Sequence, residues 1–336
     1  MNPTTPVKFA IYGASAIGRF HAEAIRDMVG GELVGVASRN ADKAKAFAET
    51  HGIRAYDDLE ALAAADDVDV VTVTTASGAH LDAVEALARG GKHVLVEKPI
   101  EVTTARVDAM AKACDDAGVM LGAILNRRFH PAIDAIDEAL EKGRFGRLTL
   151  CSAYVKWWRT QAYYDSATWR GTKKLDGGGA LMNQAVHTVD QLLHFAGEVK
   201  RVSAMIGRVG HEGIEVEDVA VASLEFASGA LGSIEATTAA WSDHGHPCEV
   251  HLCGTKGTAF LADEKLRHWE FDEPAQNDDS IREWLMADGS KGLGAADPGS
   301  IDPTLHRRNF EHFARALRGE EPLKVGIAEA RRAVEL

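Results

Sequence analysis

Lys98 and His187 are the side chains of this sequence best suited to proton and charge transfer. Lys98 lies in Glu97-Lys98-Pro99, directly after an apolar run that predicts a buried strand. Asn183 and His187 follow three consecutive glycines at a spacing of four, which predicts one face of a glycine-led helix. An imidazole accepts a proton near neutral pH, and an ammonium group stabilises a developing alkoxide. The set therefore predicts a site that can move a proton and stabilise charge at a reacting oxygen.

Asp190 lies three residues beyond His187 and extends this polar series. At about 100° per residue, the three side chains would share an arc of roughly 60° on one helix face. A lone histidine among apolar residues is usually a satisfied core residue. Three polar residues in series favour a functional face, because a polar group buried without a partner costs free energy.

A dinucleotide fingerprint is predicted at the N-terminal strand Val7–Tyr12. The strand leads into Gly13-Ala14-Ser15-Ala16-Ile17-Gly18 and then into a helix, with Ser15 where the middle glycine usually lies. Gly13 would make the tight turn, and Gly18 would let the helix pack on the strand. Ser15 would add a hydroxyl donor to the helix N–H groups that face a pyrophosphate. The alternative is a plain strand–helix turn.

The end of the second predicted strand favours NADP over NAD. It reads Ala37-Ser38-Arg39-Asn40, without the carboxylate that normally binds the ribose of NAD. Ser38 can hydrogen-bond a 2′-phosphate, and Arg39 can pair with it and stack on adenine. Asp42 lies one helical turn too late to be the usual ribose ligand, so NAD remains the alternative.

Composition narrows the class of protein. In 336 residues, 37 Lys and Arg against 50 Asp and Glu give a formal charge of −13, which disfavours nucleic acid and anionic membranes as partners. The N-terminus does not read as a secretory signal, and no apolar stretch approaches the roughly 20 residues of a membrane helix. Four cysteines are too few for a disulfide scaffold. These features predict a cytoplasmic protein.

The first 125 residues alternate strand-like and helix-like segments, which predicts a doubly wound parallel sheet in an α/β domain. The predicted strands are Val7–Tyr12, Leu33–Ser38, Val68–Thr74, His93–Val96 and Val119–Leu125. The predicted helices are Ala16–Met28, Ala41–Glu49, Ala79–Arg89 and Thr103–Ala117.

Residues 126–300 predict an α+β domain with a mostly antiparallel sheet. The predicted strands are Leu148–Trp157, Val199–Gly207, Val219–Phe226, Leu231–Thr238 and Glu249–Cys253. The predicted helices are one from Pro131 to near Gly143 and one at Gly178–Phe195. Asp263–Pro303 is polar and predicts a long loop or lid. Residues 301–336 predict a helical segment that packs back on the chain, beginning with Leu305–Arg318.

An aromatic and arginine-rich segment follows the first strand of this second domain. Aromatic faces stack on the apolar face of a sugar ring, and arginine binds carboxylate or phosphate. Substrate or nicotinamide contacts are predicted for Arg159, Tyr163, Trp169 and Arg170. Trp157 and Trp158 are equally consistent with a core or an oligomer interface, because adjacent strand residues face opposite sides.

A soft-metal site is the competing interpretation of a histidine- and cysteine-rich stretch. His244, His246, Cys248, His251 and Cys253 are of the residue types that bind zinc. On an extended strand, Cys248 would project away from His251 and Cys253, so four ligands would not converge. We therefore expect no metal here.

Taken together, these motifs resemble the Gfo/Idh/MocA family of oxidoreductases. The resemblance rests on the N-terminal loop, Thr74…His80, Gly91–Pro99, Asn126–Pro131, Gly177–Asp190 and Ala316–Gly319, which span nearly the whole chain. It implies hydride transfer between NAD or NADP and a secondary alcohol or carbonyl of a sugar, inositol or sugar derivative. It also implies a homodimer or homotetramer.

The resemblance assigns roles to the second domain and to particular positions. The second domain is expected to carry an open sheet for substrate binding and oligomerisation. Lys98 and His187 are expected to converge on the oxygen of the reacting alcohol, with Asn183 holding a neighbouring hydroxyl. Asparagine at position 183 departs from the family's usual aspartate, but resembles a subset similar to UDP-sugar-acid 3-dehydrogenases. The alternative functions are an NAD-dependent glycosidase that works by transient oxidation and a non-catalytic NADP-binding regulator. The positions expected to bind cofactor are Gly13, Ser15, Ala16, Ile17, Gly18, Ser38, Arg39, Thr74, Thr75, His80, Glu97, Lys98 and Asn126.

Overall fold

A computed structural model describes residues 5–243, 245–263, 265–285 and 302–336. His244 and residues 286–301, part of the predicted loop Asp263–Pro303, therefore lie outside the described residues. The described chain divides into two compact units. One comprises the residues up to Asn126 together with Asp302–Glu335, and the other comprises the residues from Arg127 to 285 and Leu336.

The strands are short in the first unit and longer in the second. They are β1 Val7–Tyr12, β2 Gly31–Ala37, β3 Arg54–Ala55, β4 Val70–Val73, β5 His93–Val96, β6 Leu121–Ala123, β7 Leu148–Lys156, β8 Val199–Gly207, β9 Val219–Phe226, β10 Leu231–Thr237, β11 Glu249–Gly254, β12 Gly257–Ala262 and β13 Lys265–Phe271.

The α-helices are α1 Ala16–Asp27, α2 Ala41–His51, α3 Leu59–Ala63, α4 His80–Arg89, α5 Thr104–Ala117, α6 Pro131–Glu141, α7 Gln161–Asp165, α8 Val186–Ala196, α9 Asp278–Leu285, α10 Thr304–Leu317 and α11 Ile327–Glu335. Among the described residues, no helix is both long and apolar enough to cross a membrane.

The first unit is built on a parallel sheet with the strand order β3-β2-β1-β4-β5-β6. This arrangement confirms the predicted doubly wound fold. Its core includes Phe9 and Ile11 of β1, and Phe310 and Phe313 of α10 fill the same cluster. In such sheets, ligands bind beyond the carboxyl ends of the strands, so the loops after β1, β2, β4 and β5 define the edge of interest.

The second unit is an open sheet with the order β13-β12-β11-β7-β10-β9-β8. All neighbouring strands are antiparallel except β7 and β10, which confirms the predicted mostly antiparallel sheet. The buried side chains of one face form a core with α6 and α8. The opposite face carries exposed apolar side chains, among them Met205 at 77% exposure.

Two predictions for the second unit are wrong in part. The predicted helix Gly178–Phe195 begins with a π-helical turn, Ala180–Ala185, before α8. The π turn changes the angular step, so the predicted 60° arc does not describe Asn183. The predicted loop Asp263–Pro303 contains β13 and α9, because Trp269 is buried and donates through Nε1 to the Asp278 carboxylate at 2.9 Å.

Candidate active site

The loop after β1 has the packing that a dinucleotide site requires. Gly13 has φ +122°, and a Cβ there would lie 2.7 Å from Thr74 Oγ1. A Cβ on Gly18 would lie 2.6 Å from the Gly13 carbonyl oxygen. The Thr74 hydroxyl donates to that same carbonyl at 2.7 Å. Both glycines are therefore needed to hold the start of α1 against β1 and β4, as the fingerprint interpretation requires.

Ser15 caps the N-terminus of α1. Its Oγ accepts from the Gly18 N–H at 3.1 Å and donates to the Thr74 carbonyl at 3.2 Å. A contact of this hydroxyl with a pyrophosphate stays a prediction. Because the first N–H groups of a helix have no intrahelical partner, Ala16 and Ile17 still provide donors suited to a pyrophosphate.

The end of β2 carries no carboxylate in the structure. Ser38 is half-buried and accepts weakly from the Asn40 N–H at 3.4 Å, while Arg39 is exposed. Asn40 caps α2 by accepting from the Lys43 N–H. The Arg39 guanidinium acts on Tyr12 at the end of β1: burial raises the pKa of Tyr12, and Arg39 opposes that rise. The positive charge therefore lies near the ligand edge of the sheet.

The segment after β4 combines a buried histidine with an unsatisfied hydroxyl. His80 is buried and its ring nitrogens contact the carbonyls of Ile100 at 3.1 Å and Thr75 at 3.2 Å. Burial lowers the pKa of His80, which favours the neutral ring. Thr75 Oγ1 is buried and has no hydrogen-bond partner among the described residues. His80 therefore holds the Thr75 backbone, and the Thr75 hydroxyl fits a cofactor contact.

Glu97 is directed into the first unit. Its Oε1 lies 2.8 Å from His21 Nε2 and 3.7 Å from His306 Nε2 of α10, while Oε2 accepts from the Lys98 N–H at 2.9 Å. Burial raises the pKa of Glu97, but the hydrogen bonds from His21 and His306 outweigh it and hold the pKa well below its usual range. Glu97 thus fixes the backbone at Lys98, whose peptide bond to Pro99 is cis.

Asn126 completes this cluster from the end of the sheet. Its Nδ2 lies 3.1 Å from His306 Nδ1, and its Oδ1 is buried with no partner among the described residues. The buried oxygens of Asn126 and Thr75, with the glycine cradle after β1, fit a polar cofactor at this edge. His21 and His306 were not identified from the sequence, since each lies in an amphipathic helix and no local pattern marks either one.

The glycine run of the second unit is explained by packing against the chain itself. A Cβ on Gly179 would lie 1.8 Å from the Glu217 carbonyl oxygen. The Glu217 carboxylate accepts from the N–H groups of Gly179 at 3.0 Å and Leu181 at 2.8 Å. The close backbone approach at these glycines is therefore made by Glu217, which occupies the start of the π turn.

Asn183 belongs to a hydrogen-bonded row of polar side chains. Its Nδ2 donates to the buried carboxylate of Asp176, and its Oδ1 accepts from Gln184 Nε2 at 2.9 Å. Gln184 also donates to the Tyr163 hydroxyl at 2.9 Å and accepts from Arg159 Nη2 at 2.9 Å. The structure thus brings three predicted site residues together through Gln184. Asp176 and Gln184 were not identified from the sequence, although Gln184 adjoins Asn183 and Asp176 directly precedes the glycine run.

Arg159 and Arg170 differ in their surroundings. Arg159 is 5% exposed, and burial lowers its pKa. The Arg170 guanidinium lies 4.1 Å from the Tyr163 ring centroid and 4.9 Å from that of Trp169. Arg170 Nε is buried and has no hydrogen-bond partner among the described residues. Stacked and with an unsatisfied donor, Arg170 is suited to an anionic ligand.

Helix α8 carries His187 and is held by an ion pair one turn later. His187 is half-buried. Asp190 accepts from Arg128 Nε at 2.6 Å and Nη2 at 2.8 Å, and both side chains are buried. Asp190 is therefore a structural partner of Arg128, which replaces the predicted functional stripe of three residues.

The described members of the histidine- and cysteine-rich stretch form no group close enough to share an ion. Cys248 is buried against Asp263, whose Oδ1 accepts from its thiol at 3.0 Å, and burial raises the pKa of Cys248 to about 11. His251 lies on the open sheet face, stacked on Phe260. Among the described residues, the group close enough to share an ion is His21, Glu97 and His306 instead.

The first unit has a Rossmann fold with a dinucleotide-binding loop after β1, and the second unit has an open, mostly antiparallel sheet. This combination is typical of two-domain oxidoreductases that use a dinucleotide cofactor. Residues 7–124 match the oxidoreductase family with an NAD-binding Rossmann fold, and residues 133–260 match the GFO/IDH/MocA C-terminal domain. The chain belongs to the Gfo/Idh/MocA family, which confirms the resemblance and the predicted oxidoreductase function.

Similar proteins include sugar and inositol dehydrogenases and reductases. The 1,5-anhydro-D-fructose reductase of Ensifer adhaerens is 31% identical over 75% of this chain and 74% of its own. Inositol 2-dehydrogenase of Rhizobium meliloti is 28% identical over 77% of this chain and 76% of its own. The WlbA dehydrogenase from Bordetella pertussis, solved with NADH and UDP-GlcNAcA, is 31% identical, with a TM-score of 0.90 over 99% of this chain and 94% of that one.

Proposed function

We propose that the protein oxidises or reduces a secondary alcohol of an anionic sugar derivative, such as a sugar acid or its nucleotide. The observation that carries this proposal is the stacked Arg170, whose buried Nε has no partner among the described residues. A carboxylate or phosphate would satisfy that donor. The similarity to WlbA dehydrogenase, solved with UDP-GlcNAcA, supports the same substrate class.

Lys98 and His187 are the proposed catalytic residues. When bound, the nicotinamide exchanges a hydride with the carbinol carbon. In the oxidation, His187 accepts the hydroxyl proton, because an imidazole is poised to do so at neutral pH. Lys98 donates a hydrogen bond to the same oxygen and stabilises its developing negative charge. Asn183 orients a neighbouring hydroxyl and, as an amide, takes no proton.

NADP is the proposed cofactor, with NAD as the alternative, since the WlbA dehydrogenase was solved with NADH. Ser38 and Arg39 would hold the 2′-phosphate, and the absence of a carboxylate at the end of β2 supports that choice. The pyrophosphate would lie at the start of α1, against the N–H groups of Ala16 and Ile17.

A homo-oligomer is proposed through the open face of the second unit's sheet. Met205 on β8 pairs in register with Val221 on β9, and Leu231 on β10 pairs with Leu150 on β7. All four are exposed, at 77%, 44%, 58% and 48% respectively. An apolar sheet face of this kind favours a symmetric contact with a second copy.

Substrate class and catalytic roles are tested by one set of assays. Turnover is measured with UDP-GlcNAcA and, for comparison, with uncharged myo-inositol. Lys98→Ala and His187→Ala are expected to lower kcat by on the order of 10²–10⁴ while cofactor binding survives. Lys112→Ala on α5 and His268→Ala on β13 are the matched controls and should retain activity. Turnover within tenfold of wild type in either catalytic variant would contradict its assigned role.

Anion recognition is tested separately at Arg170. Arg170→Met keeps the length of the side chain and removes its charge, so KM for UDP-GlcNAcA should rise by roughly tenfold or more. The same variant should leave the dissociation constant of the cofactor unchanged. A wild-type preference for myo-inositol over the charged sugar would refute the proposed substrate class.

Cofactor preference is tested by fluorescence titration with NADPH and NADH. Arg39→Ala should weaken NADPH binding by about tenfold more than NADH binding, because the cation paired with the 2′-phosphate is lost, whereas adenine stacking is lost for both cofactors. Equal loss for both cofactors, or tighter NADH binding by wild type, would favour NAD.

A further inference from the structure

The row of side chains around Asn183 ends in a fixed charge on each side. At one end the Asp176 carboxylate is 2% exposed and accepts from Asn183 Nδ2, and its Oδ2 accepts from the Gly171 N–H at 2.7 Å. At the other end Arg159 donates to Gln184 Oε1. Between them lie two amides joined by a hydrogen bond from Gln184 Nε2 to Asn183 Oδ1.

The two ends allow only one orientation of both amides. An ionised carboxylate only accepts hydrogen bonds and a guanidinium only donates them. Gln184 must therefore turn its oxygen toward Arg159 and its nitrogen toward Asn183. Asn183 must in turn direct its oxygen toward Gln184 and its nitrogen toward Asp176. Reversing either amide would place two acceptors or two donors in contact inside a largely buried row, at the cost of an unmade hydrogen bond.

We infer that Asp176 and Arg159 are positioning residues that fix the orientation of the Asn183 amide and thereby its selectivity for substrate. This inference rests on the proposed role of Asn183 in holding a substrate hydroxyl. With the orientation fixed, Nδ2 binds only an acceptor oxygen of the substrate. Arg159 acts through Gln184 and not by direct contact with substrate, which revises its predicted role, while Arg170 retains the anion contact.

Exchanging the residue types at positions 176 and 183, singly and together, separates a positioning role of Asp176 from a purely structural one. Asp176→Asn removes the acceptor-only end of the row. Asn183→Asp places two carboxylates in contact, which raises the pKa of one of them and destabilises the fold. In the double exchange, the new amide at position 176 can donate to the new carboxylate at position 183 and accept from the Gly171 N–H. That carboxylate can accept from Gln184, so every hydrogen bond of the row is restored, but position 183 then offers only acceptors.

The expected results differ between stability and catalysis. The double exchange should recover most of the melting temperature that Asn183→Asp loses. Its kcat/KM with UDP-GlcNAcA should remain about tenfold or more below wild type, because the donor at position 183 is absent. Recovery of both quantities would overturn the inference, since it would show a purely structural role. Asp165→Asn is the matched control, because Asp165 accepts from Gln161 Nε2 in an exposed amide–carboxylate pair.

NMR spectroscopy of the side-chain amides tests the orientation of Asn183 without substrate, and therefore independently of the proposed substrate class. The side-chain amide resonances of Asn183 and Gln184 are assigned by their loss in Asn183→Asp and Gln184→Glu. In wild type, both amides should exchange slowly with solvent and give one set of signals. Asp176→Asn should change the chemical shifts of the Asn183 amide and make its exchange with solvent faster. Asp165→Asn should change neither. Unchanged Asn183 signals in Asp176→Asn would overturn the inference. If the Asn183 signals change in Asp176→Asn but the wild-type protein is inactive on UDP-GlcNAcA, only the proposed substrate class is refuted.

Discussion

Replacing Arg128 by alanine is expected to destabilise the second unit strongly. Arg128 and Asp190 have side chains that are 2% and 3% exposed, joined by two hydrogen bonds of 2.6 and 2.8 Å. Removal of the guanidinium leaves the Asp190 carboxylate buried without its partner. Breaking a buried ion pair from one side costs about 3–5 kcal/mol, most of it the penalty of the remaining charge.

Thermal unfolding measures this loss. For a unit of this size, 1 kcal/mol corresponds to a shift of roughly 2–4 °C, so Arg128→Ala should lower Tm by about 6–20 °C. Lys142→Ala is the matched control, because Lys142 pairs with Glu138 on an exposed surface of the same unit. An exposed pair contributes only about 0–1 kcal/mol, so the control should unfold close to wild type.

A double variant tests the stated cause. Arg128→Met with Asp190→Leu removes both charges and keeps similar volume, so it should be more stable than Arg128→Ala alone. The reasoning is refuted if Arg128→Ala lowers Tm by less than about 2 °C. It is also refuted if the double variant is as unstable as the single one, because the loss would then not come from the buried carboxylate.

Three further outcomes are expected. Gly13→Ala should weaken NADPH binding by roughly tenfold or more, because its Cβ would lie 2.7 Å from Thr74 Oγ1. Glu97→Gln should flatten the fall of Tm in acid: the depressed pKa of Glu97 contributes stability above the ordinary value of 4.5, and this is lost as pH falls through the folded-state value. Met205→Asp should lower the oligomer mass measured by light scattering, since it places a charge on the open sheet face.

Controls follow from the same structure. Gly52→Ala also changes a glycine with positive φ, +67°, but its Cβ would meet nothing within 4 Å, so cofactor binding should persist. If Gly13→Ala binds NADPH as Gly52→Ala does, steric contact at the loop is not the cause. A Tm–pH profile of Glu97→Gln parallel to wild type, or an unchanged mass for Met205→Asp, would contradict the other two expectations.

The parallel sheet and its nucleotide loop could be predicted because their signals are local. Short β-branched runs alternate with alanine-rich helices, and Gly13 and Gly18 occupy the turn that joins β1 to α1. The mostly antiparallel sheet was predicted in the same way, since strands such as β9 and β10 follow each other through a short turn. The sequence pattern of about ten neighbouring residues is enough to predict strands, helices and turns of this kind.

The remaining features depend on partners far along the chain. Gly179 is required by Glu217, 38 residues away, and not by a ligand. Asp190 faces Arg128 across 62 residues, so its spacing from His187 suggested a shared role that the contacts do not support. Ser15 was correctly placed in the loop, but its hydroxyl is used by Thr74, which no local pattern reveals.

Polarity alone was also a poor guide to regular structure near the end of the second unit. Trp269 and Leu266 are buried on β13, although the segment Asp263–Pro303 is polar in sequence. Asp278 binds both Arg144 and Trp269, so an acidic residue that suggested a loop instead anchors the start of α9.

The first unit is assembled from two stretches separated by the whole of the second. Phe310 and Phe313 fill its core, and Ala123 donates its N–H to the Val325 carbonyl at 3.3 Å. During synthesis, the residues up to Asn126 leave the ribosome well before residues 302–335. Until those residues are made, part of the apolar core surface of the first unit stays exposed to solvent. A fragment ending at Asn126 would lack these side chains, so a useful expression clone of the nucleotide-binding half needs residues 302–335 joined to it by a linker.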